Sequence, residues 1–133
     1  MNPPYELSQQ EHDAVTALAG PLRYQHFIGR SCDTQVLFSL RTDEGWVSAC
    51  DDDGAEGLPL WPHPAYAMAC ATGEWEGSTP VEIDVYDFAD DWLAGMAAGG
   101  VNAIMFPTAA MHGVLVAPAQ LAADLKLELS RYD

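Results

Sequence analysis

Four histidines, three cysteines and a surplus of carboxylates are the residues of this chain that could do chemistry. The histidines are His12, His26, His63 and His112. No two stand four residues apart on one helix, and there is no His-Glu-x-x-His motif to hold a catalytic zinc. His63 could be drawn with Cys50 or Cys70 as a nucleophilic pair, but no nucleophile elbow accompanies it. His63 stands immediately before Pro64, so its simpler role is to end an extended stretch and cap the helix that follows. Cys32, Cys50 and Cys70 are odd in number and far apart, which fits reduced core thiols rather than a disulfide framework or a zinc site.

The carboxylates gather twice. Asp51, Asp52, Asp53 and Glu56 form an acidic loop that falls short of a calcium loop, because the acids are contiguous instead of alternating. Asp87, Asp90 and Asp91 fall within one helical turn, where the positive end of the helix dipole accounts for them without a metal. Neither cluster predicts a metal, and no cofactor motif is present: Gly95-x-x-x-Gly99-Gly100 lacks the ending of a phosphate loop.

Twenty acids face five bases, for a net charge of −15. Between Arg41 and Lys126 there is no lysine or arginine, against fourteen acids. Direct binding to nucleic-acid phosphates or to an anionic membrane needs cationic surface and is disfavoured. A basic protein partner is the electrostatically favoured one, mainly through its rate of association. The chain has no apolar run of spanning length, and Met1–Glu6 has neither the basic start nor the apolar core of a signal peptide. The expected location is the cytoplasm.

The elements that must position these residues follow from periodicity. Met1–Leu7 reads as a loose leader, and Ser8 with Glu11 as a capping box. Gly20-Pro21 then either separates two helices or kinks one, and Tyr24, Phe27, Ile28 and Cys32 keep helical spacing beyond it. Residues 1–19 are expected to be a leader and helix, and residues 20–133 a single domain. Gln35–Leu40 and Trp46–Cys50 read as an antiparallel hairpin around the Thr42–Gly45 turn. Leu58-Pro59-Leu60-Trp61-Pro62-His63 reads as a stiff extended connector, because each proline fixes its own φ and biases its predecessor away from helix. Its anchor is Trp61. A helix from Pro64, a strand over Pro80–Val85 and a helix with Phe88, Trp92 and Met96 inward come next. Strands over Val101–Phe106 and Gly113–Val116 and a Leu121/Leu125/Leu129 helix complete the order. The fold class is α+β, with a mixed, mainly antiparallel sheet of about five strands and three to four helices packed on it. Trp61 and Trp92 belong in the core, whereas Trp75, between glycine and glutamate in a loop, is the tryptophan expected at the surface and available for binding. Arg23 reads either as a lone anchor for a ligand carboxylate or phosphate, or as a structural ion pair with Asp33.

Several landmarks in fixed order carry a resemblance. They are Arg23-Tyr24-x-x-Phe27, Gly45-Trp46, Leu58 to His63, Phe88-x-x-x-Trp92-Leu93, Phe106-Pro107-Thr108 and Pro118-x-x-Leu121-x-x-x-Leu125. The chain resembles, over about residues 20–130, the small bacterial family numbered 2750 among the domains of unknown function. The resemblance implies a compact α+β domain and carries no assigned reaction, so no catalytic residue transfers. The function class read from the chain is a binding module for a basic protein, of which an immunity or antidote protein is one form, with Asp51, Asp52, Asp53, Glu56, Asp87, Asp90 and Asp91 as the partner-facing acids. The alternative is a small-molecule protein or enzyme with a site near Arg23, Trp61 and His63. That site would require a concave pocket holding His63 with another polar side chain. A purely structural subunit is a third class. Oligomeric state is not legible in the chain.

Overall fold

The computed structural model describes residues 6–132; of the expected leader, residues 1–5 lie outside them. Ser8 caps the first helix, α1 (Gln9–Thr16), by accepting from the Glu11 amide at 3.1 Å. The chain breaks before Gly20, and α2 (Gly20–Thr34) starts anew with Pro21 in its first turn, where a missing N–H costs nothing. Gln35 closes α2 in the left-handed region, at φ 66°.

Strand β1 (Val36–Thr42) turns into β2 (Gly45–Trp46), which returns for only two residues. The hairpin expected to run to Cys50 ends there. After Val47 and Ser48 the chain crosses to a second sheet, where β3 (Ala49–Cys50) pairs antiparallel with β4 (Glu56–Leu60). The first sheet has the order β2-β1-β5, with β5 being Thr79–Asp84. The second has the order β3-β4-β6-β7, with β6 Asn102–Met105 and β7 Val114–Val116. β4 and β6 are parallel and the other pairings are antiparallel. The class is α+β as read, with seven short strands in place of about five.

The stretch expected to be a connector is thus part of a sheet. Leu58-Pro59-Leu60 lies in β4, and Trp61 forms a bridge with Phe38 through two backbone bonds of 2.8 and 2.9 Å, joining the two sheets. Pro59 has no N–H for the ladder, and its carbonyl accepts the buried Ser39 hydroxyl at 2.6 Å. Gly57 is required by this pairing, since a Cβ there would run into the backbone carbonyl of Asn102.

Helix α3 (Pro64–Ala69) follows β4. The next helix, α4, covers residues 85–98 and contains a π-turn at Phe88–Trp92, in which the Leu93 N–H reaches the Phe88 carbonyl. The wide turn rotates the helix face by one position. Leu93 therefore follows Phe88 into the core, and Trp92, expected inward, is left half-buried at the edge. Helix α5 (Pro118–Leu129) buries Leu121, Leu125 and Leu129. Phe27, Leu37, Leu60, Trp61, Phe88, Phe106, Leu121 and Leu125 are fully enclosed between sheets and helices. Each such side chain contributes roughly 1.5–3 kcal/mol relative to exposure. Val47 and Val114, also expected in the core, are half-buried.

Candidate functional site

Arg23, Trp61 and Cys70 converge on one loop, residues 106–112, at the carboxyl end of β6. Arg23 projects from α2 and is buried. Its Nε donates to the Phe106 carbonyl at 3.0 Å, Nη1 to the Leu18 carbonyl at 2.7 Å and the Met111 sulfur at 3.4 Å, and Nη2 to the His112 carbonyl at 3.0 Å. Arg23 is therefore not paired with Asp33; it is Arg30 that lies 4.0 Å from Asp33. A guanidinium presents donors on all three nitrogens, and here all three are used on groups of the protein itself. Burial lowers the Arg23 pKa below the usual arginine value, and the Asp52 charge partly offsets this.

Trp61 donates its Nε1–H to the Pro107 carbonyl at 2.8 Å, and the Cys70 thiol approaches the same oxygen at 3.4 Å. Burial pushes the Cys70 thiol up to about 11, so it is not a thiolate at neutral pH. Phe106, between these anchors, takes φ 52°, a left-handed conformation costly for a side chain of its size. Its amide is held by the Leu60 carbonyl at 2.9 Å and its own carbonyl by Arg23. The strained residue is fixed from both sides. Thr108 Oγ1 accepts from the Ala110 and Met111 amides, which closes the loop on itself.

His63 is buried at the start of α3, and its Nδ1 accepts from the Ala65 amide at 3.0 Å, the capping contact its position before Pro64 suggested. With that nitrogen engaged on the backbone and Cys70 turned to Pro107, the two do not form a nucleophile–base pair. The cleft of about 750 Å³ that includes Arg23 is walled by Asp51–Asp53 and residues 108–115 and does not include His63. Trp75, the tryptophan expected at the surface, is half-buried. It lies edge-on to Trp61 at 6.1 Å and donates to the Ser48 carbonyl at 3.3 Å. Trp46 is the exposed one, and the sequence offered no signal for it beyond its place after a turn.

The acidic loop is held by Asp51, whose Oδ1 accepts from the Asp53 and Ala55 amides at 3.0 and 2.9 Å. Asp52 points outward and lies 3.2 Å from His112 Nδ1. Asp53 and Glu56 are exposed, as are Asp87, Asp90 and Asp91 on α4. Asp84 caps α4 by accepting from the Asp87 amide at 3.0 Å. Among the described residues no three histidines, cysteines or carboxylates come together as a metal site, and no helix is long and apolar enough to cross a membrane.

Neither the curated proteins nor the solved structures yield a match to this chain. A family profile does match, over residues 24–125, which takes in the whole 106–112 loop and its anchors Trp61 and Cys70, with Arg23 one position outside. The chain belongs to DUF2750, a family of proteins of unknown function.

Proposed function

We propose that the protein is a non-enzymatic binding module of the cytoplasm that captures a basic protein partner. The observation that carries this is the placing of the five bases. Arg23 is enclosed on backbone carbonyls. Arg30 is shared between Glu11 and Asp33, and Arg131 lies 3.6 Å from Glu128. Arg41 sits over the Trp46 ring. Lys126 stands exposed on α5. Against them Asp52, Asp53, Glu56, Asp87, Asp90 and Asp91 face solvent. The few cations are largely spent inside or on the surface of the molecule, so the outward field is that of the acids. Such a field raises encounter rates with a cationic surface. An immunity or antidote role toward a basic toxin is one form this would take.

The test is kinetic. A partner recovered from the native cell is presented to the wild type and to a variant carrying Asp51→Asn, Asp52→Asn, Asp53→Asn and Glu56→Gln. The Asp51→Asn change keeps a side-chain acceptor for the loop amides. The variant is expected to associate about tenfold more slowly at low salt, with a flatter salt dependence. Equal association rates at every salt concentration would remove the charge argument.

A second reading rests on Phe106. Its strained backbone lies at the carboxyl ends of the parallel pair β4/β6, a place where ligands often bind. A cleft of about 310 Å³ adjoins it, lined by His12, Tyr66, Cys70 and residues 107–111. A small apolar molecule would fit there, and thermal-shift screening with metabolite mixtures would reveal it as a rise in melting temperature.

A further inference from the structure

A third cleft, a groove of about 550 Å³, opens where the β2–β3 crossover meets the start of β4 and the end of α4. Its walls are Trp46, Leu58, Trp92, Met96 and Val101, and Glu56 is the one acidic or basic residue among its lining. The aromatic pair is already in place. Trp46 meets Trp92 edge to face, with centroids 5.2 Å apart and planes at 77°. Trp92 is backed by the fully buried Phe88 at 5.7 Å, and the Arg41 guanidinium lies 5.3 Å from the Trp46 ring centre. Yet Trp46 keeps 36 % of its surface in water and Val101 keeps 42 %. Two tryptophans fixed at a surface and left partly uncovered are the composition of an interface anchor, because rigid aromatics lose little entropy when a partner covers them.

Charge decides what covers them. A second copy of this chain would bring another net −15 to the same face, whereas a cationic segment would meet Glu56 on the rim and the negative field beyond it. We infer that the groove receives a short segment of a basic protein, its aliphatic or aromatic side chain between Trp46 and Met96 and an adjacent arginine or lysine against Glu56. This rests on the basic-partner reading above and names where and how that partner binds.

The experiment selects binders to the intact protein from a displayed library of random peptides. The enriched peptides are then titrated into ¹⁵N-labelled protein, following the indole signals of the four tryptophans. The expected result is enrichment of sequences with an apolar residue flanked by arginine or lysine. These should shift the Trp46 and Trp92 indoles and leave Trp61 unmoved. Trp46→Ala and, independently, Val101→Lys, which removes apolar lining and repels a cation, should weaken binding about tenfold or more, with the Trp61 signal unchanged as proof of fold. Replacing the flanking bases of the peptide by glutamate should abolish binding. Basic peptides that perturb the Asp51–Asp53 amides and not the two indoles would overturn the groove inference and leave the basic-partner reading standing. Groove-binding peptides without basic residues would overturn the basic-partner reading, and the inference with it. A failure to enrich any peptide would overturn the inference, as would a concentration-dependent dimer lost in Trp46→Ala, which would assign the groove to a second copy.

Discussion

Arg23 and Trp46 are both large side chains beside a cleft, and the structure treats them in opposite ways. Around Arg23, every nitrogen of the guanidinium donates within the protein, Trp61 and Cys70 share the Pro107 carbonyl, and a strained Phe106 is pinned at its amide and its carbonyl. Around Trp46, the ring is oriented by Trp92 and Arg41 but remains partly in solvent, above a mostly apolar groove. The first arrangement is what holds a loop; the second is what receives something. A polar cluster whose every nitrogen already donates within the protein has little left to offer a ligand. An apolar surface left open retains the free energy of covering it. The two most distinctive landmarks of the chain, Arg23 and Trp61, are therefore clamps on the 106–112 loop.

The sharpest way to break this contrast is Arg23→Leu. The substitution leaves the Leu18, Phe106 and His112 carbonyls without their charged donor, the Phe106 carbonyl in a buried position. It should cost about 3–5 kcal/mol in a urea melt. Arg23→Lys should recover little of it, because one ammonium cannot reach three separated carbonyls in the geometry of the planar fork. A loss near that of an ordinary surface substitution would mean the loop holds its shape without the clamp. Trp46→Ala is the matching change on the other side. It removes an edge-to-face contact and a cation–π contact and should cost only about 1–2 kcal/mol, while weakening peptide binding about tenfold or more. If its cost equalled that of Arg23→Leu, Trp46 would be a core residue and the groove only a gap in the packing.

Much of this was legible beforehand, for identifiable reasons. The serine cap at Ser8, an interruption at Gly20-Pro21 (a break or a kink), the capping role of His63 and the inward Trp61 all depend on residues within a few positions of one another. The family was legible from landmark order, and the α+β class from switches in hydrophobic period. What escaped depends on partners distant in the chain. Arg23 bonds to carbonyls 83 and 89 positions away, and a carbonyl leaves no mark on sequence. The strand in β4 was hidden by Pro59, whose missing N–H argues against a sheet interior; only its carbonyl is bonded across, by the Ser39 hydroxyl. The place of Trp92 was lost to a π-turn, which shifts helical phase without any sequence signature. The groove draws on four separate stretches, around residues 46–48, 56–58, 92–96 and 100–101, that only the crossover between sheets brings together.

The smallest expected effect sharpens the contrast through pH. His26 lies on α2 with its ring 6.4 Å from Phe106 and its Nε2 buried without a hydrogen-bond partner among the described residues. Burial lowers its pKa below the ordinary value of 6.5; the Arg30 charge lowers it further, and Glu11 opposes both. In this direction the unfolded chain binds the proton more readily than the folded one, so stability increases with pH across the interval between the two pKa values. The contribution is fully kept above about pH 6.5, is lost as the pH falls below that value, and levels off once the folded-state histidine also protonates. Urea melts at about pH 7.5 and about pH 5.5 should therefore show a larger loss for the wild type than for His26→Phe, which cannot titrate. Trp46→Ala should keep the wild-type difference, since the groove has no histidine in its lining. Equal losses in the wild type and His26→Phe would mean that the proton enters without disturbing the packing against Phe106. A difference abolished by Trp46→Ala as well would mean that the two regions respond as one.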